Sequence, residues 1–322
     1  MECRRATARL AVIAGLLLLA LWQGGMLWAT DRGIRNIEAR STLAPPAPDP
    51  GAAWRTMRFF GDPDAYCWLA YARDLRSSGH WRVRYTFADN APYGREVHWA
   101  QLPIWSLAGL SFALEQFGSL PPTAALEWAG RLLMPLTGFL FGAGMLLILA
   151  RWTNAGAALL AALALATTSY YDFHTLRPDH HGFQIAFAMG SLVCLLGSGL
   201  GWYRESAAGT PVRSGLLPVR SAARRRFAAA GVLAGMAFWL GATVFMFLLC
   251  AMVAGVAIAL LRAKPADIPA DAGFDPDLFR IWGIAGAGTA LFFYLLEYAP
   301  AHFAMRLEVN HPLYALCFLG TA

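Results

Sequence analysis

The chain has 322 residues, of which 57% are hydrophobic and only 14% charged, with a net charge of +6 that rests almost wholly on arginine. Soluble domains carry about 25% charged residues, so this balance, with a mean hydropathy of +0.45, excludes an ordinary soluble globular protein. No basic stripe is interleaved with aromatics, which points to anionic lipid and not nucleic acid as the partner of the positive charge. Five scattered cysteines, Cys3, Cys67, Cys194, Cys250 and Cys317, offer neither a disulfide framework nor a zinc motif.

A bilayer of ~30 Å asks ~20 apolar residues of a helix. The first such run, Leu10 to Ala29, follows Arg4, Arg5 and Arg9. A secretory signal has the same order of charge and apolar run. Here the run is longer than a typical signal core, and Trp22, Trp28 and Asp31-Arg32 suit the interfacial end of a retained helix with a cytoplasmic N-terminus. Residues 30–125 form a large external loop. It opens with a proline-rich stretch, 44–50, that excludes a helix interior, and closes with an amphipathic segment, Gln101 to Phe117, expected to lie at the outer interface.

Six further spans are predicted over 126–298. The second span covers Leu126–Ala150, the third Ala155–Thr168 and the fourth Phe183–Trp202. Phe227 to Leu261 is about 35 residues, roughly 52 Å as one helix, too long for one crossing. It is therefore split near Trp239-Leu-Gly241 into two spans. Ile281–Tyr298 is the seventh, and 299–322 holds an external loop and the start of a possible further span. The fold class is thus an all-α polytopic helical membrane protein, read as one transmembrane domain over 1–322. Basic residues in short loops mark the cytoplasmic side. The N-terminal arginines, Arg151, the 204–226 loop and Arg262, Lys264 and Arg280 all fall on that side.

All seven histidines (His80, His98, His174, His180, His181, His302 and His311) then fall on the outer side, with Asp62, Asp64, Asp172, Asp179 and Glu308. Titratable groups gathered at one membrane face mark a candidate site; loops that simply carry the polar residues are the plainer reading. Three motifs stand out. In Arg177-Pro-Asp179-His180-His181-Gly182, residues two apart on an extended loop point the same way. Asp179 and His181 are therefore expected to share a cation, with His180 turned elsewhere. An oxygen-and-nitrogen set suits Mn²⁺ or Mg²⁺ at a phosphate, or zinc; a polar turn is the alternative. Gly61-Asp62-Pro63-Asp64 precedes a helical pattern, where Asp64 is placed to cap the helix or to ligate a metal. Arg306-Leu-Glu308-Val-Asn-His311-Pro312 is either an interfacial turn or a carboxylate with phosphate-binding neighbours.

The order of these elements resembles the catalytic subunit of the oligosaccharyltransferases, within the GT-C class of membrane glycosyltransferases. Asp64-Ala-Tyr66 with Ala72-Arg73-Asp74 is similar to the family's Asp-x-Tyr and following helix. Tyr170-Tyr171 followed by Asp179-His180-His181 is similar to its second external loop, in the archaeal-type Asp-His-His variant, and the span ending in Arg151 also fits. The resemblance implies a GT-C-like bundle and a metal-dependent glycosyltransferase. Mg²⁺ or Mn²⁺ would be held by Asp64, Asp179 and His181, with Asp64, Asp179 and Glu308 catalytic and Arg177, Arg306 and His311 at the donor phosphate. It implies a polyprenyl-(pyro)phosphate saccharide as donor, membrane lipid around it, and an active site on the extracytoplasmic face of the cell's inner (plasma) membrane. The acceptor, protein or glycolipid, stays open, because the family's soluble C-terminal domain and its last spans are missing from the sequence; the chain is expected to be a fragment or a shortened relative. Two alternatives remain: a polyprenyl-phosphate-sugar transferase acting on lipid or Ser/Thr, and a non-catalytic transport or assembly protein.

Overall fold

The computed structural model describes residues 2–40, 62–152, 154–168, 171–205, 217–262, 271–299, 301, 303 and 305–321. The proline-rich stretch 44–50, Tyr170, Arg213, Lys264 and His302 fall outside them. The chain forms two compact units, Met1–Gly182 and Phe183–Ala322.

The first unit opens with helix α1, Glu2–Arg40. The helix runs past Asp31-Arg32, which the sequence reading took as its end. Asp31 remains inside it because the buried Arg131 reaches it at 3.1 Å and also holds Glu127 at 2.6 Å. Helix α2 is Pro63–Ser78, closed by Gly79 at φ 68°. Strands β1, Tyr85–Thr86, and β2, Arg95–Glu96, make a short antiparallel pair. Helices α3, Leu102–Gly118, α4, Pro122–Trp152, and α5, Ala155–Thr168, follow. Leu19 of α1 packs against Leu146 of α4 and Ala158 and Ala162 of α5. On α2, Arg76 joins Glu115 of α3 (NH2 to Oε2, 2.6 Å) and Ser111 (2.7 Å). Much of the predicted external loop is therefore a folded layer on α4, with the interfacial segment of the sequence reading as its helix α3.

Helix α6, His181–Gly197, leads into the second unit. The predicted fourth span reaches Trp202, but the helix ends at Gly197. Gly199 and Gly201 take φ of 76° and 98°, conformations open to glycine without a Cβ penalty, and the chain turns into strand β3, Trp202–Arg204. Helix α7, Arg220–Leu240, and helix α8, Ala242–Arg262, meet at Gly241, the break the length argument requires. Strand β4, Ala272–Phe274, pairs with β3. Helix α9, Asp277–Tyr298, and the eight-residue α10, Pro312–Leu319, complete the unit. A Cβ on Gly235 would lie 2.7 Å from Thr289 Cβ and 2.8 Å from the Gly286 carbonyl. With Gly231 four residues earlier against the same helix, α7 and α9 cross at a small-xxx-small face, the device that lets apolar helices approach closely.

The pairing of β3 with β4 brings the loops before α7 and before α9 to one end of this unit. At its other end, Gln184 donates to the Gly241 carbonyl, and Ala242 N–H donates to the Glu308 carbonyl at 3.1 Å. Among the described residues, three helical stretches are long and apolar enough to cross a membrane: Arg9–Asn36, Pro122–Trp152 and Asp277–Tyr298.

Candidate metal centre

The site is built from the start of α2 and the loop before α6. Asp62 is the N-cap of α2, accepting from the Asp64 N–H at 3.0 Å, with Pro63 in the first helical position, where its missing N–H costs nothing. The cap is thus Asp62, and Asp64, assigned to it by sequence, stands exposed in the first turn. One turn further, Trp68 is buried and directs its indole N–H at Asp179 Oδ1, 3.1 Å away.

The loop carrying Asp179 is anchored to α4. Thr175 Oγ1 donates to the Arg131 carbonyl at 2.7 Å, and Phe173 is buried against Gly138, where a Cβ would stand 2.8 Å from the ring carbon. Gly182 is a steric necessity: its Cβ would lie 2.7 Å from Met134 Sδ and 2.8 Å from the Asp172 carbonyl.

Asp179 is 1% exposed. Its Oδ1 also accepts from the His180 backbone N–H and meets His180 Nδ1, each at 2.6 Å, and its Oδ2 meets His181 Nδ1 at 2.6 Å. His180 is therefore not turned elsewhere. The period-two expectation fails because His181 begins a helix, so the chain leaves the extended geometry it assumed. Tryptophans complete the packing: the His180 ring lies 5.5 Å from Trp68 and 4.9 Å from Trp99, whose ring lies tilted 4.6 Å from that of His98.

Arg177, assigned to a phosphate by sequence, is committed to three carboxylates: Asp62 at 2.7 Å, Asp172 at 3.2 Å and Asp179 at 3.3 Å. Its guanidinium also lies 4.1 Å over the Tyr171 ring. Arg73 and Asp74, carried in the motif, pair with each other at 3.0 Å. In the second unit, Arg306 and Glu308 stand 3.7 Å apart with 43% and 56% of their side chains exposed, and His311 caps α10 by accepting from Leu313 N–H at 3.0 Å.

Burial alone would raise the Asp179 carboxyl, but hydrogen bonds from His180 and His181 outweigh it and hold it well below the usual carboxylate range. The same hydrogen bond to Asp179 raises His181, against the opposing effect of burial. A proton on His181 thus supplies positive charge beside the carboxylate. Asp179, His180 and His181 bring one ligand atom each within 4.8 Å of one another, and Asp64 lies outside that group. A carboxylate held ionised by its neighbours, with two imidazoles, fits a divalent ion, so the described residues contain one possible metal-binding group. Sequence reasoning places His180 and Asp172 on the outer face without giving either a contact in the site, and it misses Trp68 and Trp99. Only the buried-looking tryptophan one turn into α2 gave a signal, and a lone tryptophan on a helix does not say what its N–H faces.

Against solved structures, the chain matches the Archaeoglobus fulgidus oligosaccharyltransferase. With the form complexed with Zn and sulfate, the TM-score is 0.62 at 14% identity over 95% of this chain and 34% of that one. With the form holding an inhibitory peptide and a dolichol-phosphate, it is 0.64 at 13% identity, over 97% and 32%. With the form tethered to an acceptor peptide containing the NVT sequon, it is 0.61 at 14% identity, over 96% and 32%. The fold is oligosaccharyltransferase-like. The likeness extends over nearly the whole chain, so the resemblance carried by a few motifs is met by the architecture as well. The chain spans about a third of the length of these oligosaccharyltransferase structures. No protein-family model and no curated protein matches the sequence.

Proposed function

We propose that the chain belongs to a metal-dependent glycosyltransferase that moves a saccharide from a polyprenyl-(pyro)phosphate donor to an acceptor, protein or glycolipid, at the extracytoplasmic face of the cell's inner membrane. The observation that carries this reading is the Asp179–His180–His181 group, seated against α2 within an oligosaccharyltransferase-like fold. In our reading Asp179, His180 and His181 hold the ion, with Asp64 as an exposed carboxylate at the same helix start. A divalent ion would offset the negative charge that gathers on a departing phosphate. The two imidazoles favour Mn²⁺ over Mg²⁺, which prefers oxygen ligands and retains its waters. Zinc fits the same donors.

Arg177 bridges the three carboxylates around the site, so its role is to position them. Glu308 is proposed as a further catalytic carboxylate, with Arg306 and His311 as donor-phosphate groups. Membrane insertion is supported by the three apolar helices among the described residues, and seven spans with the N-terminus inside are our reading of the basic residues and of the two ends of the second unit. One end gathers the arginine-bearing loops and the other gathers the Gly241 turn and Glu308, as the distribution of basic residues requires.

The test is divalent-metal binding by the purified protein, with Asp64→Ala and His181→Ala beside it, followed by transfer from a lipid-linked donor. Loss of binding in His181→Ala together with loss of transfer is the expected result. Absence of metal binding even with lipid-linked donor present would sink the transferase reading and leave a non-catalytic membrane protein.

A further inference from the structure

We infer that the end of the second unit where α7 and α9 begin binds the phosphate headgroup of an anionic membrane lipid. A cavity of about 600 Å³ opens there, lined among others by Arg220, Arg224, Asp275, Arg280, Ile281 and Ile284. Its carboxylates are largely consumed. Asp275 holds Arg220 at 2.8 Å through Oδ2, and its Oδ1 accepts from the Asp277 N–H at 3.0 Å where α9 begins. Asp277 stands 3.5 Å from Arg280, with 70% and 62% of their side chains exposed, a solvated pair of little strength. Arg224 is exposed one turn beyond Arg220 on α7. Three guanidiniums against two committed or solvated carboxylates leave the cavity positive.

The floor of the cavity is apolar and continues away from the charges. Ile281 and Ile284 line it, and Ile284 is 58% exposed. Leu291 and Leu295, seven and eleven residues on, lie on the same face of the helix and are 43% and 44% exposed. Helix α9 is among those long and apolar enough to cross a membrane. A headgroup cavity at the helix end that runs into an exposed apolar face has the shape of a lipid, whereas a free phosphate would use only its charged part. Basic pockets between membrane helices take anionic headgroups by this chemistry. The cavity lies at the start of α7, and Gly241, beside Glu308, lies past its end, 21 residues and roughly 31 Å away. The inference is independent of the transfer chemistry.

The experiment is native mass spectrometry on the full chain, purified in detergent and stripped of lipid. It is titrated separately with phosphatidylglycerol, with phosphatidylcholine of the same acyl chains, and with inorganic phosphate. Phosphatidylglycerol is expected to bind at least about tenfold more tightly than phosphatidylcholine. The preference should fall about fivefold in Arg224→Gln, the effect of one basic residue at a lipid surface, and be lost in Arg224→Gln/Arg280→Gln. Arg262→Gln, at the end of α8, should bind as the natural chain does. Equal binding of the two lipids, or an anionic preference unchanged in the double variant, would overturn the proposal. Inorganic phosphate binding as tightly as the lipid would assign the cavity to a free anion and overturn the lipid. A melting temperature for the single variant within a few degrees of the natural chain keeps the reading free of unfolding.

Discussion

Asp179 and Glu308 are both carboxylates that follow an arginine by two residues, yet the fold treats them oppositely. Asp179 is 1% exposed and takes hydrogen bonds or ion pairs from Trp68, His180, His181 and Arg177. Glu308 keeps 56% of its side chain in solvent, with Arg306 3.7 Å away. A solvated pair of that kind contributes ~0–1 kcal/mol, whereas a buried carboxylate must be matched bond for bond or not be charged at all. The contrast teaches that the same short motif carries a preorganised anion in one place and an adaptable one in the other, according to what packs over it.

The largest effect should come from removing Asp179. Asp179→Ala leaves two imidazoles, an indole N–H and a guanidinium without their shared acceptor, and should abolish metal binding and cost about 3 kcal/mol of stability. Glu308→Ala should change stability by less than about 0.5 kcal/mol. Equal destabilisation of the two variants would break the comparison. Trp68→Phe keeps the ring packing and removes one hydrogen bond to the carboxylate, so metal affinity should fall about 10- to 100-fold, as read by isothermal titration, while Arg306→Gln leaves it unchanged.

The pH dependence sharpens the point. Because His181 titrates above its ordinary value, a metal must displace its proton, so affinity should fall about tenfold per pH unit below that raised value. Without metal the sign reverses: the His181 contribution to stability is complete below the unfolded histidine pKa of ~6.5 and is lost as pH rises through the raised one. Asp179 acts the other way. Its contribution is present above the unfolded aspartate value of ~3.9 and is lost only as pH falls through its depressed folded value. Melting temperatures from about pH 2 to 9 check both signs, and a metal affinity flat from about pH 5 to 9 would remove His181 from the ligand set.

Much of the architecture was legible in the residues. The break at Gly241 followed from length alone, since a run of about 35 apolar residues exceeds any bilayer as one helix. The candidate cluster was legible too, because Asp179-His180-His181 are adjacent in sequence and histidines are few. Other features were not. Asp62 and Asp64 are equivalent by composition on either side of Pro63, and only the turn geometry decides that Asp62 caps α2 and reaches Arg177. Asp31 reads as a helix end until Arg131, a hundred residues away, is seen to hold it inside α1.

By itself, the sequence determined the membrane class, the helix order and the adjacency of one carboxylate to two imidazoles, because these follow from local hydropathy, spacing and side-chain chemistry. Only the tertiary structure decided that Trp68 faces Asp179, that His180 joins His181 on one carboxylate, and that Arg177 is tied to three acids. Each of those depends on which surfaces exclude water together, and a contact across more than a hundred residues leaves no trace in the spacing along the chain.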